Sequence, residues 1–200
     1  MVTNLRIAAL SSWASCRAHL TDWRGWLNGP GHTRALVVFL ALVTAHMLEH
    51  VAQAIQVFVL GWPRPQALGL LGLVWPWLVQ SEWLHFSDVL LTLVGLLVLR
   101  PGFHGEARRW WTAAIVVSVW HLFEHTVLLG QAVSGTTLWG AAQPTSVVQL
   151  VVPRVELHLV YNGIVLAAIL MALAHRQWGS RRRGPRDPVA SRAAWATVRR

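Results

Sequence analysis

Four runs of roughly twenty mostly apolar residues dominate this chain, at about 34–61, 82–99, 110–130 and 154–175. A run of that length crosses a bilayer as a helix, because a helix satisfies its own backbone hydrogen bonds where no water can. The runs are continuous and lack the alternation of membrane-barrel strands. Only 12% of the 200 residues are charged, against about 25% in soluble domains. The expected fold is all-α and integral to the membrane: a bundle of four transmembrane helices over residues 34–175.

The net charge of +9 invites a nucleic-acid reading, but its distribution argues against one. All 17 basic residues are Arg, and fifteen of them precede the first span, lie between spans two and three, or follow span four. Only Arg64 and Arg154 fall in the other two loops. This is a positive-inside pattern. It predicts a multi-pass protein of the cell membrane with both termini cytoplasmic. Residues 1–33 read as a cytoplasmic segment carrying an interfacial helix, and 176–200 as a basic cytoplasmic tail held at lipid headgroups. The apolar stretch near 67–79 is too short to span and reads as re-entrant or interfacial. Trp62, Trp75, Trp77, Trp110, Trp111, Trp139 and Trp178 fall near span ends and suggest an interfacial belt. The single cysteine, Cys16, excludes an intramolecular disulfide and a cysteine-based metal site.

Ionisable residues recur inside the spans. "HMLEH" at 46–50 and "HLFEH" at 121–125 are offset by 75 residues. His85 and His158, on the spans that follow, are offset by 73. The chain therefore reads as two parallel two-helix repeats, 34–100 and 109–175, with a pseudo-two-fold axis along the membrane normal. At 1.5 Å per residue from the Arg-bearing ends, His46, His50, His85, Asp88, Glu82, His121, His125 and His158 all fall about 18–27 Å up, in one slab. Residues at i, i+3 and i+4 share a helix face, so His46, Glu49 and His50 point one way, as do His121, Glu124 and His125. Glu156 lies two residues from His158 and cannot share its direction, so it belongs at the helix mouth.

Carboxylates in hydrocarbon are costly, about 2.5–3.5 kcal/mol each on the lenient scale. The spans hold no internal Lys or Arg, which leaves protonated histidine or metal as compensation. Imidazole and carboxylate without thiolate suit iron first, then zinc, manganese or copper. "EWLH" at 82–85 has the Glu-x-x-His spacing of di-iron helix bundles. The expected site is two transition-metal ions held by His46, Glu49, His50, Glu82, His85, Asp88, His121, Glu124, His125 and His158. Glu49 and Glu124 would act as the catalytic pair. The expected function is a di-iron type oxidoreductase acting on a lipid-soluble small molecule, with electrons from a partner protein. The alternatives are a transition-metal transporter and a b-type cytochrome. A metalloprotease reading of H-x-x-E-H fits poorly, since the motif occurs twice within apolar spans.

Overall fold

The computed structural model of the protein describes Trp23 and residues 25–182. The expected interfacial helix falls almost wholly outside the described residues, and so does the basic tail from residue 183 onward. Among the described residues there is no strand. Four helices are long and apolar enough to cross a membrane: α1 (His32–Phe58), α4 (Glu82–Leu99), α5 (Gly105–Ser134) and α6 (Arg154–Arg182). Two single-turn helices, α2 (Leu71–Val74) and α3 (Pro76–Val79), lie in the first long connection.

Each boundary has a local cause. No Gly or Pro interrupts α1 between residues 32 and 58. It ends where Gly61 takes a positive φ of 69° and Pro63 follows, a combination that cannot continue a helix. Pro101 closes α4 within a 3₁₀ turn over Arg100–Gly102. Gly135, with φ 66°, caps α5 in the left-handed region. Residues 67–79 form no continuous helix, because Trp75 leaves the helical region at φ −129° and ψ 70° and Pro76 opens a new turn.

The long helices pack chiefly in four pairs: α1 on α4, α4 on α5, α5 on α6, and α6 on α1. The α1–α4 contact is the sparsest of the four. The apolar core occupies the half of the helices nearest the Arg100 turn, here called the proximal half. Leu36, Phe39, Val43, Leu96, Phe103, Trp111, Ala114 and Ile169 are all buried there. Outward faces are apolar as well, with Val37, Leu42, Leu91, Val116 and Leu170 exposed, the inverse of a water-soluble helix.

The tryptophan belt needs one correction. Trp62, Trp75, Trp77, Trp110, Trp139 and Trp178 are exposed. Trp111 is fully buried, donates its indole N–H to the Leu96 carbonyl at 2.7 Å and stacks on Phe103 at 4.0 Å. Its proximity to a span end concealed a core residue, because α5 begins five residues earlier than the apolar run suggested.

Candidate metal centre

Above the apolar core the four helices bring six imidazoles together. α5 presents His121 and His125 one turn apart, with Nε2 atoms 3.1 Å from each other. α6 presents His158, whose Nε2 lies 3.0 Å from that of His125. One ligand atom from each of His121, His125 and His158 lies within 4.8 Å of the others, an arrangement that could hold a metal ion. α1 adds His46 and His50, with Nε2 atoms 2.9 Å apart. α4 adds His85, whose ring stacks between those of His125 and His158 at 5.9 and 5.8 Å. The His50 ring stacks on His158 at 5.4 Å and joins the two groups.

The hydrogen positions that these contacts demand are informative. Asp88 Oδ2 faces His46 Nδ1 at 3.2 Å. Gln53 Oε1 accepts from His50 Nδ1 at 2.9 Å. Neutral His50 therefore turns its Nε2 lone pair toward His46 Nε2, where a hydrogen on His46 or a bound cation would meet it. His85 donates Nε2–H to the Val79 carbonyl at 2.7 Å, which leaves its lone pair on Nδ1. His125 Nδ1 is buried without a partner. No tautomer of His125 satisfies both ring nitrogens, a cost of about 1–3 kcal/mol. Nitrogens about 2.1 Å from one ion and at right angles sit about 3.0 Å apart, close to the two contacts that His125 makes.

The carboxylates are not in this cluster. Glu49 Oε2 accepts the backbone N–H groups of Leu70 and Leu71 at 2.8 and 3.0 Å, at the start of α2. Glu124 accepts from Ser146 Oγ and from the Val148 N–H in the second long connection. Glu82 is held by a bidentate pair with Arg154. Glu156, at the mouth of α6, pairs with Arg64. Only Asp88 stays with the histidines, against His46. The expectation that metal or imidazolium must compensate these acids is therefore corrected. Two arginines, Arg64 in the first long connection and Arg154 at the start of α6, and four backbone or hydroxyl donors compensate them, and sequence distance hid those partners. The case for metal rests on the imidazoles alone.

Two residues outside the expected site extend the repeated motif. Gln56 forms a two-way clamp on Gly69, donating to its carbonyl at 3.1 Å and accepting from its N–H at 2.8 Å. Gln131, 75 positions later, donates to the Thr145 carbonyl and accepts from the N–H groups of Leu138 and Thr145. The motif is thus H-x-x-E-H-x5-Q, with histidines toward the cluster and Glu and Gln gripping the loop above. The repeat offset of 75 was the signal that could have found these glutamines. Tyr161 also lies beside the cluster, with its ring 4.8 Å from His121 and its hydroxyl accepting from Trp120 Nε1 at 2.8 Å.

No family model matches this chain, and no curated protein or solved structure is detectably similar to it. Function must therefore be argued from the site.

Below the cluster lies the packed apolar core. Above it the Arg154–Glu82 pair joins the starts of α6 and α4, and both long connections are held by Glu49, Gln56, Glu124 and Gln131.

Proposed function

We propose that this protein is a membrane-embedded metalloprotein with a histidine-ligated centre, and that it is an oxidoreductase acting on a lipid-soluble molecule. The observation that carries this reading is the convergence of one ligand atom each from the buried His121, His125 and His158 within 4.8 Å of one another. These three would hold one ion. His46 and His50 would hold a second, with Asp88 orienting His46 and Gln53 orienting His50, the outer partners that metal-bound histidines need. His85 stands beside both.

The donor set differs from the one the sequence implied. With Glu49, Glu82 and Glu124 engaged elsewhere, it is dominated by imidazole. Imidazole suits zinc, copper, iron and nickel, so iron loses the priority that the carboxylates gave it. Glu49 and Glu124 become loop clamps rather than bridging ligands. Their matching roles, and those of Gln56 and Gln131, support the reading of two parallel repeats forming one bundle. The arginine distribution supports cytoplasmic termini.

A transporter is the second reading. A pathway requires polar steps along the membrane normal, and the packed core below and the ion pair above favour a fixed centre. A cytochrome fits less well, since rings in contact at 2.9–3.1 Å leave no width for a porphyrin between them.

Elemental analysis and an optical spectrum of the purified protein test the proposal. The expected result is about two transition-metal ions per chain, as in dinuclear centres, and no Soret band. Protein that is fully folded and free of metal would leave a buried histidine network and end the reading. Metal uptake into vesicles without oxygen consumption would favour the transporter.

A further inference from the structure

Within the cluster and its neighbours, the exposure is concentrated at one place. His50, His121, His125 and His158 are at most 5% exposed, and His85 is 9% exposed. The side chains of His46 and Asp88 are 19% and 27% exposed. These two sit opposite each other across the α1–α4 contact, the sparsest of the four long-helix pairs. Seven residues toward the proximal end on each helix, about 10 Å away, Phe39 packs its ring against Gly95 and shuts the seam. On the other side of the pair, the hydrogen bond from His85 to Val79 ties α4 to the loop. The exposed pair thus lies between these two contacts, within the apolar spans.

Asp88 uses one oxygen. Oδ2 faces His46, and Oδ1 has no hydrogen-bond partner among the described residues. An acceptor that opens on hydrocarbon calls for a donor that hydrocarbon can deliver. A second anion there would be repelled. We infer that the α1–α4 seam at His46 and Asp88 is a lateral binding site for a lipid-soluble molecule with a neutral hydroxyl headgroup, which donates its hydrogen bond to Asp88 Oδ1. The bound headgroup lies next to His46, and His46 touches His50 in the cluster. This deepens the proposed oxidoreductase reading and rests on it for its purpose, though not for its geometry.

The test uses full-length protein in lipid nanodiscs and a photoreactive octylphenol bearing a diazirine on its ring. Crosslinks are mapped by mass spectrometry, and metal content is measured on the same sample. The expected result is labelling concentrated on residues 42–47 and 87–92. 4-Octylphenol should compete for it several-fold better than 4-octylanisole, which has the same tail and no hydroxyl hydrogen. Asp88→Leu should abolish the difference between the two competitors. The competitor comparison on unaltered protein stands even if that variant fails to fold. Labelling spread evenly over the apolar faces, or equal competition by the anisole, would overturn the lateral site. Seam labelling in protein without metal would keep the site and remove the metal-centre reading instead.

Discussion

Gln53 and Leu128 occupy equivalent places in the two halves, 75 residues apart, and the difference between them divides the histidine cluster. Gln53 gives His50 Nδ1 an acceptor. Leu128 gives His125 nothing, and its Nδ1 is the orphan. Replacing Gln53→Leu should therefore make His50 resemble His125. Lost orienting partners typically lower metal affinity 10–100-fold, so on the proposed two-ion reading about one ion should be lost on dialysis and one at His121, His125 and His158 retained. Elemental analysis before and after dialysis checks this. The glutamates make a sharper contrast. Glu49→Gln and Glu124→Gln should keep their metal and loosen the loops, because each carboxylate accepts hydrogen bonds from loop donors. Hydrogen exchange should rise at residues 70–71 in the first variant and 146–148 in the second. Metal loss with unchanged exchange would return these residues to the ligand set.

Helix α1 approaches α4 closely at Phe39 and Gly95. A Cβ on Gly95 would lie 2.5 Å from the Phe39 ring, so the glycine is there for space, not for backbone freedom. Gly95→Val should push the helices apart at a cost of about 1–3 kcal/mol. Unfolding by steric trapping in bicelles would measure it, and Phe39→Ala in the same background should recover part of the loss. The loops depend on α1 and α5 as well. Gln56→Leu or Gln131→Leu leaves loop N–H and C=O groups without partners, at about 1–3 kcal/mol per buried group. Protease nicking within 64–70 or 138–145 should accelerate accordingly. An unchanged nicking rate would show that the clamps do not hold the loops.

The molecule as a whole puts two arginines at one end of the helices, and each is paired: Arg154 with Glu82 and Arg64 with Glu156. A positive-inside count treats such residues as exceptions, yet here they neutralise the acids that open α4 and α6. The Arg64–Glu156 pair is exposed, and its guanidinium is held in the charged form mainly by the hydrogen bond to Glu156. It should contribute little and weaken with salt. Arg154 is the one that matters, because removing it leaves Glu82 buried with no countercharge. Arg154→Met should destabilise the protein strongly, and Glu82→Gln in addition should rescue much of the loss. Membrane orientation is a separate question. Cysteine labelling at Thr136 from outside and reporter fusion at Arg200 should place them on opposite sides. The same side for both would sink the inside–outside assignment.

The apolar runs and their breaks determined the helices. The span over 82–99 agrees with α4, and the others differ by a few residues at their ends. Length and hydropathy decide whether a helix can cross a membrane, and both are local. The layer of histidines was legible for a similar reason: rise per residue converts sequence position into depth, and helical periodicity into direction. What the carboxylates do was not legible. Glu49 lies 21 residues from Leu70, Glu124 lies 22 from Ser146, and Glu82 lies 72 from Arg154. Depth places a carboxylate in the slab, but only the path of the loops determines whether a backbone N–H, an arginine or an imidazole meets it there. The sequence thus supplied the inventory of polar groups and their heights. The tertiary structure decided their pairing, because each burial cost is met by whichever donor the fold brings within 3 Å.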